Sequence, residues 1–291
     1  MLRSFSLALA RLLAIMLLAS LLGATLIRIA PGFSSDEQEL NTSLSAQSIQ
    51  AIRQARLADA DVPRYYGKFL ISLVRGDLGI SQSLNQPVKD LLWERLPVTL
   101  KGIGIALSLA WMLGLILAVI AQLANSAWLT FVTDAMSGVF ISTPAAVLAL
   151  VFVILRLPPE WAAALLVFPK IYRYCQNLLQ HSYGLPHVLT AHAKGAGRSR
   201  ILIWHVAPTA LPQLLALVGV SISIVIGVLL PIEVICDVPG IGQLAWQAAQ
   251  SRDLPLLVNL TLVVAFVTVL ATMLSDAARR RFTHGWRTAV A

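Results

Sequence analysis

The chain reads as long uncharged runs separated by short charged ones. Leu12 to Ile27 carries no charge and is flanked by Arg3, Arg11 and Arg28. Gly102 to Thr133 is uncharged over 32 residues, too long for one crossing at about 20 residues per span. The polar break Gln122–Ser126 divides it, which predicts a helix from about Pro97 to Ala121. A second helix is predicted from near Trp128, past Asp134, to Leu155. Leu157-Pro158-Pro159-Glu160 predicts a turn, since proline removes the backbone donor. Trp161 to Pro169 is a shorter apolar stretch followed by Lys170 and Arg173, whose long side chains can snorkel to an interface. Val206 to Ile232 and Leu254 to Ser275 are again uncharged. Residues 31–96 form a polar stretch of mixed charge, read as a 66-residue loop, in which Leu44, Ile49, Ile52 and Leu57 recur at rough helical spacing.

Composition turns these runs into membrane spans. Hydrophobic residues make up 57% of the chain and charged residues 12%, about half the charge of a soluble domain, and the mean hydropathy is +0.77. A soluble globular protein and a disordered chain are both excluded. In such a protein the net charge of +8 reads as basic cytoplasmic segments and not as a nucleic-acid partner. With six spans, the short inner segments hold Arg3, Arg11, Lys194, Arg198, Arg200, Arg279, Arg280, Arg281 and Arg287, and the short outer ones hold only Arg156 and Arg252. Omitting the weak fourth span would put the Lys194–Arg200 and Arg279–Arg281 clusters outside, against the positive-inside rule. The predicted fold is therefore all-α: a polytopic membrane protein of six transmembrane helices with both termini cytoplasmic. Residues 1–96 form the first helix and an extracytoplasmic loop, and residues 97–291 form a core of five helices. The first helix reads as uncleaved, because Arg28-Ile-Ala-Pro-Gly offers no small-residue cleavage site.

Several chemistries are missing from the sequence. There is no GxxxxGK[ST] phosphate loop, so ATP hydrolysis is not expected of this chain, and no catalytic residue is assigned. His181, His187, His192 and His205 share one basic inner segment. His187 and His192 stand five apart, off the i, i+4 face of helical zinc ligands, and no metal site is expected. Cys175 and Cys236 fall near opposite ends of different spans and read as packing residues. An ion-coupled carrier would need an internal repeat and buried ionisable groups, but only Lys101 and Asp134 qualify, and both lie toward helix ends. A Ser/His intramembrane hydrolase lacks a paired nucleophile and base. The polar groups within the spans are hydroxyls and amides. Ser142, Thr143, Ser221, Ser223 and Asn259 are the candidates for lining a pathway, with helix–helix hydrogen bonding the alternative.

Residues 184–212 carry the most information. His187 to Lys194 predicts a short helix, Gly195 and Gly197 interrupt it, and Arg198 to Val206 resumes as a basic, partly apolar helix. Pro208 and Pro212 then open the fifth span. A surface helix with a glycine break suits a docking element, since glycine permits a sharp turn and close approach of another chain. The stretch Leu189-Thr190-Ala191-His192-Ala193-Lys194-Gly195, followed by His205, Ala210, Leu211 and Pro212, resembles the cytoplasmic EAA-type loop of ABC-importer permeases. The likeness is to the dipeptide, oligopeptide and nickel family, binding-protein-dependent inner-membrane components. Further pieces resemble that family in order: Arg75-Gly76-Asp77-Leu78-Gly79-Ile80-Ser81; Glu94-Arg95-Leu96-Pro97-Val98-Thr99-Leu100; Asp134 followed by Ser142-Thr143-Pro144; and Glu233, Pro239-Gly240-Ile241-Gly242 and Arg252-Asp253-Leu254-Pro255.

The resemblance implies a type I importer permease in the bacterial inner membrane. Its implied partners are a second homologous permease subunit, two ABC ATPase subunits and an extracytoplasmic substrate-binding protein. ATP and Mg would be bound by the ATPases, and this chain would hold no cofactor. Thr190, Ala191, Ala193, Lys194, Gly195 and Arg198, within a coupling loop at about 184–206, would pass the ATPase stroke to the helices. Glu233, Pro239, Gly240 and Gly242, which follow the fifth span directly, read as an outer gate near the substrate entrance, with an ordinary glycine turn the alternative. The solute would be a peptide or a similar small molecule, with nickel the family's alternative.

Overall fold

The computed structural model describes residues 67, 69–73, 75–124 and 126–290, together with the helical positions Ala14, Leu18, Leu21 and Thr25; beyond Arg281 only the backbone is described. The rest of the first span and the predicted helix at 44–58 lie outside the described residues. The described chain is all-α. Its helices are α1 (Val88–Ala124), α2 (Ala127–Ser142), α3 (Ala145–Ile154), α4 (Pro159–Tyr183), α5 (Pro186–Ala193), α6 (Arg198–Ile201), α7 (Ala207–Ile235), α8 (Ile241–Gln250) and α9 (Leu254–Val290). A π-helical turn, Leu202–Val206, joins α6 to α7.

Three expected boundaries move. The helix expected to start near Pro97 begins at Val88 and carries Pro97 inside it, so residues 88–96 are helix and not loop. The last helix, expected to end near Ser275, continues to Val290. The third span is not one rod from Trp128 to Leu155. It breaks after Ser142, and α2 and α3 meet at 92°. The cause is local. Pro144 disfavours helical backbone in the residue before it, and Thr143 accordingly sits at φ −76°, ψ 123°.

Among the described residues, three helices are long and apolar enough to cross a membrane, or four if the bent α2–α3 pair is one span. The helix α4, expected as the fourth span, is not among them. Its surroundings explain its composition. Ala162, Ala163, Ala164, Val167, Phe168, Ile171, Tyr172 and Cys175 are all buried, and α2, α3 and α7 pack around them. A helix shielded by protein need not be apolar all round, and its small residues let neighbours come close. At Gly114 of α1, a β-carbon would stand 3.0 Å from the Tyr172 amide nitrogen and 3.1 Å from the Phe168 carbonyl. Phe140 of α2 meets Phe168 edge to face, centroids 5.5 Å apart.

The chain divides into two compact units, residues 1–96 with 244–267 and residues 97–243 with 268–291. In the first, the Arg75–Ser81 motif is a tight loop. Gly76 and Gly79 take φ of +77° and +76°, a region open to glycine at little steric cost, and Asp77 Oδ1 accepts from the Gly79 amide at 2.9 Å. The loop is tied to the start of α9. Buried Asp253 accepts through Oδ2 from the Ser81 hydroxyl (2.6 Å), the Ser83 amide (2.9 Å) and the Ser83 hydroxyl (2.9 Å). Through Oδ1 it accepts from the Leu256 amide at 3.1 Å, so the same carboxyl caps α9. Asn259 donates to the Leu78 carbonyl at 2.9 Å.

In the second unit, α7 and α9 touch at Gly219. A β-carbon there would lie 2.7 Å from Ser275 Cβ and 3.0 Å from Thr272 Cα. Ser275 Oγ accepts from the Gly219 amide at 3.1 Å and donates to the Leu215 carbonyl. These two groups are the ends of one i→i−4 step of α7, so a side chain from α9 inserts at the ladder of its neighbour.

Candidate functional site

The inner element is built by α5, α6 and the π turn. Pro186 starts α5, where a missing N–H costs nothing, and Gly195 ends it at φ +77°. The Gly195 amide donates to the His192 carbonyl (2.9 Å) and the Ala196 amide to the Ala191 carbonyl (3.2 Å), the paired bonds of a Schellman ending. Gly197 then caps α6. The loop is fastened by Arg198, whose Nη1 donates to the Leu123 carbonyl at the end of α1 (3.4 Å), and by the Tyr183 hydroxyl donating to the Arg198 carbonyl (3.5 Å). Val188, Ile201, Leu202 and Val206 face inward and are buried.

Of the expected coupling residues, Thr190, Ala193, Lys194, Gly195 and Arg198 are exposed. Ala191 is not: it is 7% exposed and packs inward, because position 191 falls on the Val188 face of α5. The largest exposed apolar side chains of the element are Leu189, Ile203 and Trp204 at 59%, 61% and 71%. The sequence reading passed over them, although an exposed Trp beside basic residues in a short loop was a readable signal.

The outer segment is organised by Glu233, the last acidic residue of α7 and 2% exposed. The chain turns after Cys236, and the Val238 amide returns to the Glu233 carbonyl at 2.9 Å. α8 then begins against that side chain. The Gly242 amide donates to Glu233 Oε2 (2.7 Å) and the Ile241 amide to Thr99 Oγ1 of α1 (2.8 Å); the Thr99 hydroxyl also bonds the Glu233 carboxyl. First-turn amides have no partner inside their own helix, and here Glu233 and Thr99 supply it. Gly240 and Gly242 are glycine for space. A β-carbon on Gly240 would run into the Glu233 carboxyl, and one on Gly242 into the Leu230 backbone. Pro239 lies in the turn between α7 and α8. Cys236 places its sulfur 3.9 Å from the Ala149 carbonyl; burial, with the Glu160 carboxylate nearby, pushes its thiol up from the usual range. Both cysteines are free.

The pathway candidates do not behave as a set. The hydroxyls of Ser142, Thr143, Ser221 and Ser223 each return to the carbonyl four residues back, at 3.0, 2.9, 2.7 and 3.5 Å, which satisfies them within their own helices. Asn259 is committed to Leu78 and to the Pro255 carbonyl at 2.7 Å. Ser221 also lines a cavity of about 230 Å³, shared with Lys170 and Tyr174. A more polar recess, of about 300 Å³, lies between α2 and α4.

The comparisons with known proteins bear on this arrangement. The profile of the family described as binding-protein-dependent transport system inner membrane component matches residues 110–288. The oligopeptide transport system permease protein OppB of Escherichia coli K12 is 30% identical over 261 residues, covering 82% of this chain and 84% of its own. A Brucella suis biovar 1 chain, provisionally named a peptide transport system permease protein, is 27% identical over 295 residues, covering 92% and 93%. Among solved structures, the inward-facing MetNI methionine ABC transporter aligns with a TM-score of 0.61 at 18% identity, over 70% of this chain and 99% of that one. That is a likeness of fold, the ABC importer permease fold. The chain is a multi-pass inner-membrane permease subunit and belongs to the binding-protein-dependent transport system inner membrane component family.

Proposed function

We propose that this chain is one of two permease subunits of an ATP-driven importer for peptides, which an extracytoplasmic binding protein delivers. Both termini and the 186–206 element lie in the cytoplasm, where two ATPase subunits carrying ATP and Mg dock. The observation that supports this most is the form of the inner element. Leu189, Ile203 and Trp204 are exposed apolar side chains on an element that also exposes Lys194 and Arg198 and runs straight into α7. Force applied to that element moves α7 along its length, and with it Glu233 and the start of α8. The peptide class follows the names of the relatives.

The test is uptake by proteoliposomes holding this chain, its partner permease and the ATPases, with binding protein outside. ATP-dependent accumulation of a labelled oligopeptide, abolished when the binding protein is omitted, is expected. Accumulation of a nickel chelate and of no peptide would reassign the solute, and accumulation without ATP would remove the ABC reading.

A further inference from the structure

The polar recess between α2 and α4 has no part in the function described so far. It is lined by Thr130 and Asp134 of α2 and by Arg173, Gln176, Asn177 and Gln180 of α4. On α4 these fall at i, i+3, i+4 and i+7, one continuous stripe, and on α2 at i and i+4. Arg173, Asn177 and Gln180 are exposed, and two facing polar stripes belong on water or on a bound solute and not on lipid.

The two ionisable groups are held differently. Asp134 is anchored from behind: its Oδ1 accepts from the Tyr172 hydroxyl at 3.1 Å, and that hydroxyl shares a 2.6 Å hydrogen bond with Thr133 Oγ1. Tyr172 is fully buried, so this anchor is rigid. The other oxygen, Oδ2, accepts no hydrogen bond among the described residues. Arg173 reaches across to α2 beyond Asp134, where its Nη2 lies 3.7 Å from the place a β-carbon on Gly138 would take. Gly138 is four residues past Asp134, about 6 Å along the helix. No ion pair joins Asp134 to Arg173 among the described residues. An acidic and a basic side chain therefore line one recess without a contact ion pair between them, with three amide side chains beside them.

We propose that this recess is a binding subsite for a short zwitterion, an α-amino acid or dipeptide, with its ammonium on Asp134 and its carboxylate on Arg173. The three amides hydrogen-bond the backbone between. An isolated carboxylate or ammonium compound would satisfy one charge and leave the other bare, so the site selects ligands carrying both. The subsite rests on the peptide-import reading and deepens it, by naming the chemistry of the solute this chain holds.

The test uses the assembled complex with both native cysteines replaced by serine and Asn177→Cys as reporter. Dialanine is expected to slow labelling of the reporter by a thiol reagent, and N-acetyl-dialanine and dialanine amide to do so at least about tenfold less effectively, the difference expected from one charge-assisted hydrogen bond. Asp134→Asn should erase the discrimination against the acetylated compound alone, and Arg173→Gln that against the amide alone. Equal protection by all three compounds, or by none, overturns the proposal. So does a reporter that the reagent cannot reach in the complex, since the recess then belongs to a subunit interface. If protection fails while the proteoliposomes still accumulate peptide, only the subsite falls. If no peptide is accumulated at all, the import reading falls with it.

Discussion

Gly242→Ala isolates the packing of the outer segment, because two physical effects of the change have opposite signs. Gly242 lies in the first turn of α8, and by helix propensity alone alanine is better than glycine by about 1 kcal/mol. The surroundings reverse the sign. The added β-carbon would stand 2.8 Å from Leu230 Cα, closer still to the Leu230 carbonyl, and 2.9 Å from Glu233 Oε2. Two of these three neighbours are backbone and cannot rotate aside, so the start of α8 must back away from α7. Overpacking of this kind costs about 1–3 kcal/mol. Backing away also stretches the 2.7 Å bond from the Gly242 amide to Glu233, and an unsatisfied buried acceptor costs about 1–3 kcal/mol more. The net expectation is destabilisation of roughly 1–5 kcal/mol after the propensity gain is subtracted. The nearest neighbours of a β-carbon on Gly240 are the Glu233 carboxyl atoms, a side-chain end that can turn where the Leu230 backbone cannot, so Gly240→Ala should cost less. The assay is thermal unfolding of the purified permease in detergent beside peptide uptake in proteoliposomes. Gly242→Ala is expected to melt several degrees below wild type, and Gly240→Ala in between. A Gly242→Ala protein as stable as wild type would refute the steric reasoning. If it also failed to transport, the segment would be a moving gate and not a packed corner.

Gly195→Asn should retain ATPase co-purification, since asparagine tolerates positive φ and a β-carbon there meets nothing within 4 Å. Gly195→Val adds strain of about 1–2 kcal/mol and bulk at an exposed surface, so its ATPase co-purification should fall; equal recovery for both variants would exclude this turn from docking. Asp253→Ala strips the Ser81, Ser83 and Leu256 bonds at once and should lower stability by about 3 kcal/mol or more, read as loss of the folded permease in detergent; an unchanged melting curve would contradict the cap. A cysteine in place of Arg198, with Cys175 and Cys236 replaced, should react with an impermeant thiol reagent in inside-out vesicles and not in intact cells. Labelling in intact cells would invert the topology.

What could be read in advance was set by how local each signal is. The inner element was legible because Pro186, Gly195, Gly197 and Pro208 punctuate it within about twenty residues, and each acts on its own backbone. The bend at Thr143 rests on an equally local proline, but proline is common inside spans, so nothing nearby marked Pro144 as a break and not a mild kink. Hydropathy failed for α4 because it measures what a helix is made of and not what surrounds it. The Ala162-Ala163-Ala164 run was the available sign of a protected helix. Asp253 and Asp134 gain their partners from residues about 170 and 38 positions away, and no window along the chain reports such contacts. The hydroxyls of Ser142 and Ser221 have partners only four residues away, and a hydroxyl whose proton is taken that close by has only its lone pairs left to offer a solute.

The Ser275 hydroxyl sits between the Leu215 carbonyl and the Gly219 amide, and this has a consequence for biogenesis. When α7 leaves the ribosome and enters the bilayer, α9 has not yet been made. In hydrocarbon each unpaired backbone group costs several kcal/mol, so the newborn α7 closes that turn on itself and stands as a regular helix. The arrival of Ser275 then lays one hydroxyl against both ends of that turn. The polar ends of this turn in α7 are thus tied by a residue of α9, and a chain released before residue 275 would lack that tie even if every residue of α7 were present.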